Sequence, residues 1–262
     1  GVDKVAFTGS TEVGRGIQRA AAGNLKRVSL ELGGKSPNIV FADADLDRAL
    51  QGVAGAIFFN QGEVCCAGSR LFVEQSVHEQ FTARLVEHAR GLRVGDPLDE
   101  ATQVGSLVSG EQMARVCGYI ASGRAEGATL LAGGGRVGQR GFFVEPTVFG
   151  QVRGNMRVFQ EEVFGPVLSL IPVSDFDEAV HEANNVQFGL ASSIYTRDAN
   201  YAMRFVERSE VGMVHVNNPT VGGEAQLPFG GIKGTVDSLK GALTGQGSTG
   251  ATGEKKNPLG GL

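Results

Sequence analysis

The stretch KVAFTGSTEVGRGIQRAAA, residues 4 to 22, decides the fold class. A short apolar run ends at Phe7, Gly9 and Ser10 turn the chain, and a helix-like segment opens near Ser10. The same order of strand, turn and helix recurs along the chain. RVSLEL (27–32), PNIVF (37–41), RLFVEQ (70–75), ATLLAGG (128–134), GFFVEPTVF (141–149), PVLSLIPV (166–173), ASSIYTRD (191–198) and GMVHVNN (212–218) read as strands. Between them, residues 45–59, 78–92, 110–127, 175–185 and 199–209 read as helices. Phe81, Leu85, Ala89 and Leu92 fall on one face of the second of these, and Gly127 is a C-cap candidate for the third. Such alternation predicts an α/β protein whose largely parallel sheet is covered on both faces.

Composition narrows the function classes. A chain of 262 residues with 41% hydrophobic content can bury a sizeable core. The formal charge of −4, without basic clusters interleaved with aromatics, argues against a nucleic-acid partner. No apolar run approaches the roughly 20 residues that a bilayer needs, so no membrane partner is expected. Three cysteines and four scattered histidines, with no CxxC or HxxxH spacing, point away from a disulfide scaffold and from a metal site. A reducing, cytoplasmic setting is the expectation. The last stretch, rich in Gly, Ser, Thr and Lys, is expected to be disordered.

Five motifs could carry chemistry. In FTGSTEVGRG (7–16) a helix N-terminus follows a strand, and its unpaired N–H groups and positive dipole end suit a phosphate. Arg15-Gly16 stands where a P-loop needs Lys and Ser or Thr, so an ordinary turn with Ser10 as N-cap competes equally. In LELGGKSP (30–37), Glu31 ends an apolar strand before Gly33-Gly34, and a partly buried carboxylate there could act as a general base. A surface Glu at a strand end is the plainer alternative. FFNQGEVCCAGSR (58–70) sets adjacent Cys65 and Cys66 just after Gly62; a reactive thiolate would need nearby donors, and a buried structural thiol is commoner. The two side chains are expected to point in different directions. In FQEEVFGPV (159–167) one of Glu161 and Glu162 could accept hydrogen bonds from sugar hydroxyls. HVNNPTVGGEAQLPFGGIKG (215–234) could line a pocket, or simply connect elements.

Taken together and in this order, FTGSTEVG, LELGGKSPNIVF, FFNQGEVCCAGSR, EEVFGPV, ANN with FGLASS, and PFGGIKG resemble the aldehyde dehydrogenase superfamily over residues 1 to 234. The resemblance implies a three-layer catalytic domain carrying the trailing part of a Rossmann-type cofactor domain. Residues 1–31 would end the dinucleotide-binding domain, 32–234 would form the catalytic domain, and 235–262 an atypical tail. It further implies Cys65 as nucleophile and Glu31 as the base that activates water against a thioester. The 34 positions separating these two residues also match the family. The cofactor would be NAD or NADP. Gly9, Ser10 and Gly14 would face its pyrophosphate, Val13 its adenine, Leu32 and Phe164 its nicotinamide end, and Glu162 the nicotinamide ribose. Phe229 would line the aldehyde tunnel and Asn217 would brace the site.

Family enzymes are about twice as long, and the resemblance implies that the oxyanion Asn and most of the cofactor sheet precede Gly1. The chain is therefore expected to be the catalytic half of an enzyme that oxidises a small-molecule aldehyde as a homodimer or homotetramer, and to be inactive alone. Two other readings compete. One is a cofactor-independent thiol esterase or acyltransferase, the other a non-catalytic fragment.

Overall fold

The computed structural model describes residues 1–223 and 226–233. The expected tail, 235–262, lies outside the described residues, as does Gly234. The chain begins with strand β1 (Lys4–Thr8), helix α1 (Thr11–Ala22) and strand β2 (Arg27–Glu31). Ser10 caps α1, its side chain accepting the Val13 N–H at 3.3 Å. β1 and β2 pair in parallel and form a two-stranded sheet by themselves.

The rest builds a second, larger sheet. In chain order it comprises β3 (Pro37–Val40), α2 (Leu46–Phe58), a 3₁₀ turn (Phe59–Gly62), β4 (Arg70–Glu74), α3 (Gln75–Gly91), α4 (Gly110–Ala125), β5 (Thr129–Ala132), β6 (Thr147–Gly150), α5 (Arg157–Gln160), β7 (Val167–Val173), α6 (Phe176–Asn184), β8 (Ala191–Tyr195), α7 (Ala199–Arg208) and β9 (Met213–Val216). The seven strands run in the order β5-β6-β7-β4-β3-β8-β9. All pairs are parallel except β5 with β6. The α/β reading therefore holds, with helices on both faces of a mixed sheet.

Core packing explains why the larger sheet holds. Leu71, Phe72 and Val73 on β4 are completely buried, each contributing about 1.5–3 kcal/mol by removal from water. One apolar cluster sets Phe72 and Ile39 with Phe149, Phe159 and Val116; the opposite face sets Leu71 and Val73 with Ile57, Phe81 and Leu85. Phe81, Leu85 and Ala89 do share the buried face of α3. Gly127 follows the last turn of α4 with φ at +93°, a conformation that suits glycine.

One local expectation needs correction. The strand expected over 141–149 shortens to β6, because Pro146 lacks an N–H for the ladder and Val144 pairs only as an isolated bridge with Arg136. Helix α5 has four residues, too few to leave a helical period in the sequence.

Candidate active site

The two sheets meet through opposite edges. Gly9 and α1 follow β1, and Glu31 is the last residue of β2, so the small sheet offers its carboxyl edge. The larger sheet offers its amino edge: Gly34 precedes β3, Cys65 precedes β4, Glu162 precedes β7 and Gly212 precedes β9. Strand ends thus fix most of the residues singled out in the sequence, on the two sides of one crevice.

Cys65 sits in a turn that backbone geometry holds tightly. Asn60, Gln61 and Gly62 have φ of +48°, +46° and +73°, a short left-handed passage. A methyl group at Gly62 would sit 2.2 Å from the Gly165 carbonyl oxygen, so only glycine lets these loops approach. The Asn60 amide donates to the Glu63 carbonyl at 3.1 Å, and Glu63 in turn accepts the Val108 N–H at 3.1 Å. Cys66 is buried against Leu190 and Ala191, with Cys65, Val64, Met213 and Val221 packed around them. The two thiols differ in burial: Cys65 is half-buried and Cys66 buried. The adjacent Cys66 thiol, aided by the backbone N–H groups of Cys66 and Cys65 and opposed by burial, lowers the Cys65 thiol to about 7. The Cys66 thiol moves the other way, raised by the adjacent Cys65 thiol and by burial.

Glu31 is half-buried, and burial raises its carboxyl above the usual range. Its carboxylate faces Gly230, where a methyl group would stand 3.6 Å from Oε1. The Gly230 carbonyl packs on Gly212, and the neighbouring Met213 reaches the Cys66 cluster. A short run of contacts therefore joins Glu31, the loop of Phe229 and the cysteine turn. Phe229 itself is about half exposed.

A cavity of about 390 Å³ lies between the start of α1 and the segment entering β7. Ser10 and Thr11 line one wall, and Glu161, Glu162 and Phe188 the other. Glu162 and Phe164, with φ at +57°, also border the narrow gap beside Gly34 and Val64, next to Cys65. The structure separates the two acids. Glu161 is held by Arg157 at 2.9 Å and by the Tyr119 hydroxyl at 2.8 Å, whereas the Glu162 carboxylate, among the described residues, accepts only the Gly34 N–H at 2.9 Å. Burial raises the Glu162 carboxyl, while that N–H and the charges of Lys35 and Arg115 lower it.

The remaining candidates are less direct. The space at Gly14 is filled by Leu32, whose Cδ2 would lie 2.5 Å from a methyl group there, so both residues lock α1 to the chain after β2. Gly9 ties the ends of the small sheet, its N–H donating to the Glu31 carbonyl at 3.0 Å. Val13 is half exposed on α1. Asn217, with φ at +54°, clasps Thr196 through both ends of its amide at 3.0 Å. Sequence reasoning missed Arg70, which is completely buried and donates to the carbonyls of Lys35, Glu182 and Ala183. It also missed Lys35, which follows Gly33-Gly34 and precedes Ser36-Pro37, a setting that gives no sign of burial.

A family model described as the aldehyde dehydrogenase family matches residues 1–246. The chain belongs to this family. The match runs past residue 234, where the quoted motifs end. The mitochondrial aldehyde dehydrogenase of Mesocricetus auratus is 50% identical over 233 residues, covering 88% of this chain and 46% of the relative. Retinal dehydrogenase 2 of Mus musculus is 50% identical over 234 residues, covering 89% and 45%. Among solved structures, the NAD⁺ complex of an aldehyde dehydrogenase from Bacillus cereus superposes with a TM-score of 0.87 at 42% identity, covering 89% of this chain and 47% of that one. The chain thus spans about half the length of the aldehyde dehydrogenases it matches. The cytoplasmic expectation is overturned, because similar relatives are named as mitochondrial. Its physical basis was thin: a low cysteine count says that thiols stay reduced, which does not single out one compartment.

Proposed function

We propose that this chain supplies the catalytic half of an NAD-dependent aldehyde dehydrogenase, with Cys65 as nucleophile and Glu31 as base. One observation carries the reading: a single cavity connects the helix N-terminus after β1 with Glu162, which also borders the cysteine turn. The residues fit a dinucleotide. The first-turn N–H groups of Thr11 and Glu12, without a partner among the described residues, suit a pyrophosphate, Glu162 suits ribose hydroxyls, and Phe164 flanks the nicotinamide end. A dinucleotide held there would supply the hydride acceptor for oxidation of the thiohemiacetal on Cys65 to a thioester.

The chain's own groups do the rest. The Cys65 sulfur, its thiol lowered to about 7, attacks the aldehyde carbonyl as the thiolate. The Cys65 N–H donates to the resulting oxyanion. Glu31, its proton affinity raised by burial, takes a proton from water as that water attacks the acyl carbon. Phe229 lends the aldehyde an apolar wall. NADP is the alternative cofactor, and an aldehyde of apolar character the proposed substrate class. The open edge of β9 among the described residues supports a homodimer or homotetramer of the full-length enzyme. The 262-residue chain alone should not turn over aldehyde.

The test is Cys65→Ala in a family-length polypeptide carrying this sequence. Dehydrogenase and esterase turnover should both fall by about 10⁴-fold or more. Substantial residual turnover of either kind removes Cys65 as the nucleophile.

A further inference from the structure

The motif ANN (183–185) closes helix α6, and the chemistry proposed above makes no use of it. The last carbonyls of a helix lack partners within it and attract positive charge. Here side chains from three distant segments donate to them. Arg70, at the start of β4, reaches the carbonyls of Glu182 at 3.0 Å and Ala183 at 2.7 Å. Gln160, just before Glu161 and Glu162, reaches that of Asn185 at 2.9 Å. Lys233, in the loop of Phe229, donates to the carbonyls of Asn184 and, at 3.1 Å, Val186. The Glu210 carboxylate lies 2.7 Å from the same ammonium, which thus has an acceptor for each of its protons. Asn184 holds Glu210 in place, its side chain accepting the Glu210 N–H and donating to the Arg208 carbonyl, each at 2.9 Å. The loop is seated as closely as the ammonium. The Gly189 carbonyl accepts the N–H groups of Ile232 and Gly212, each at 3.0 Å, and a methyl group at Gly189 would stand 2.7 Å from Lys233 Cβ.

The geometry points to Lys233 as a positioning residue: its ammonium, seated on the carboxyl end of α6 and on Glu210, pins the loop of Phe229 and Gly230 beside Glu31 and so fixes the aldehyde side of the crevice. The inference rests on the reading of Phe229 as an apolar wall given above, and names what holds that wall. Arg70 and Gln160 tie the segments that follow Cys65 and precede Glu162 to the same helix end. Removing the ammonium would leave helix carbonyls and the Glu210 carboxylate without their donor, and the loop would lose its only ionic anchor among the described residues.

Two measurements test this. In the family-length polypeptide, with hexanal as the apolar probe, Lys233→Met should raise KM by about tenfold and leave kcat and the Kd for NAD⁺ within about threefold. Lys233→Arg, which keeps the charge and the donors, should recover most of that loss. In a Phe229→Ala background, Lys233→Met should add less than about twofold, because the wall it positions is already gone. An unchanged KM overturns the proposal, and so does an equal loss in KM, kcat and NAD⁺ binding, which would mean a general loosening of the fold. The second measurement needs neither aldehyde nor cofactor: hydrogen exchange of the 262-residue chain. Lys233→Met should speed exchange at the N–H groups of Ile232 and Gly212 by about tenfold or more and leave the amides of β4 unchanged. Unchanged exchange at Ile232 and Gly212 shows that Lys233 does not pin the loop. If Phe229→Ala alone leaves KM for hexanal unchanged, the wall reading fails instead, and exchange still decides the role of Lys233.

Discussion

Strand β4 buries Leu71, Phe72 and Val73 completely, whereas strand β1 alternates exposed residues with half-buried Val5 and Phe7. The contrast extends to the helices. α2 buries seven of its residues in the core, and α1 buries only Gly14 and Ala21. Yet both regions deliver residues to the same crevice, one through its carboxyl edge and the other through its amino edge. The proposed nucleophile is set on the densely packed sheet, which suits a sulfur that must hold fixed donors. The proposed base and the helix N-terminus are set on the thinly packed one, joined to the rest by Leu32 on Gly14 and by Glu31 against Gly230.

The difference can be broken first by hydrogen exchange. Amides of β3 and β4 should exchange only through global unfolding and those of β1 and β2 through local opening, giving rates about 10⁴-fold apart. Equal protection in both sheets would show one cooperative unit and remove the contrast. A smaller effect separates the chemical roles. In a family-length polypeptide, Glu31→Gln should leave the first hydride burst intact and slow deacylation by about a hundredfold. An unchanged steady-state rate would take Glu31 out of the mechanism. The smallest effect belongs to the neighbouring thiol. Cys66→Ser keeps a polar group beside the Cys65 sulfur, so turnover should stay within about threefold of the original. A collapse as deep as that expected for Cys65→Ala would mean that the roles of the two thiols are reversed.

Much of this arrangement was legible in the sequence because period and punctuation are local properties. The β1–turn–α1 unit announced itself through Gly9 and Ser10, and the Phe81, Leu85 and Ala89 stripe fixed the inner face of α3. What was not legible depends on contacts between distant segments. Nothing near Gly34 in the chain indicates that its N–H meets Glu162, or that Glu161 is diverted to Tyr119. Gly62 signals a turn, but nothing in the sequence signals that Asn60 and Gln61 before it are left-handed as well. Arg70 and Lys35 read as ordinary surface charges until the sheet closes over them.

Cys65 being acidified by its neighbour and its backbone is the point on which the account turns, and alkylation against pH tests it directly. With the site of modification mapped by mass spectrometry, the rate at Cys65 should rise through a midpoint near pH 7, with Cys66 and Cys117 far slower. A midpoint near the value of about 8.5 for a free cysteine, or preferential labelling of Cys66, would contradict the account.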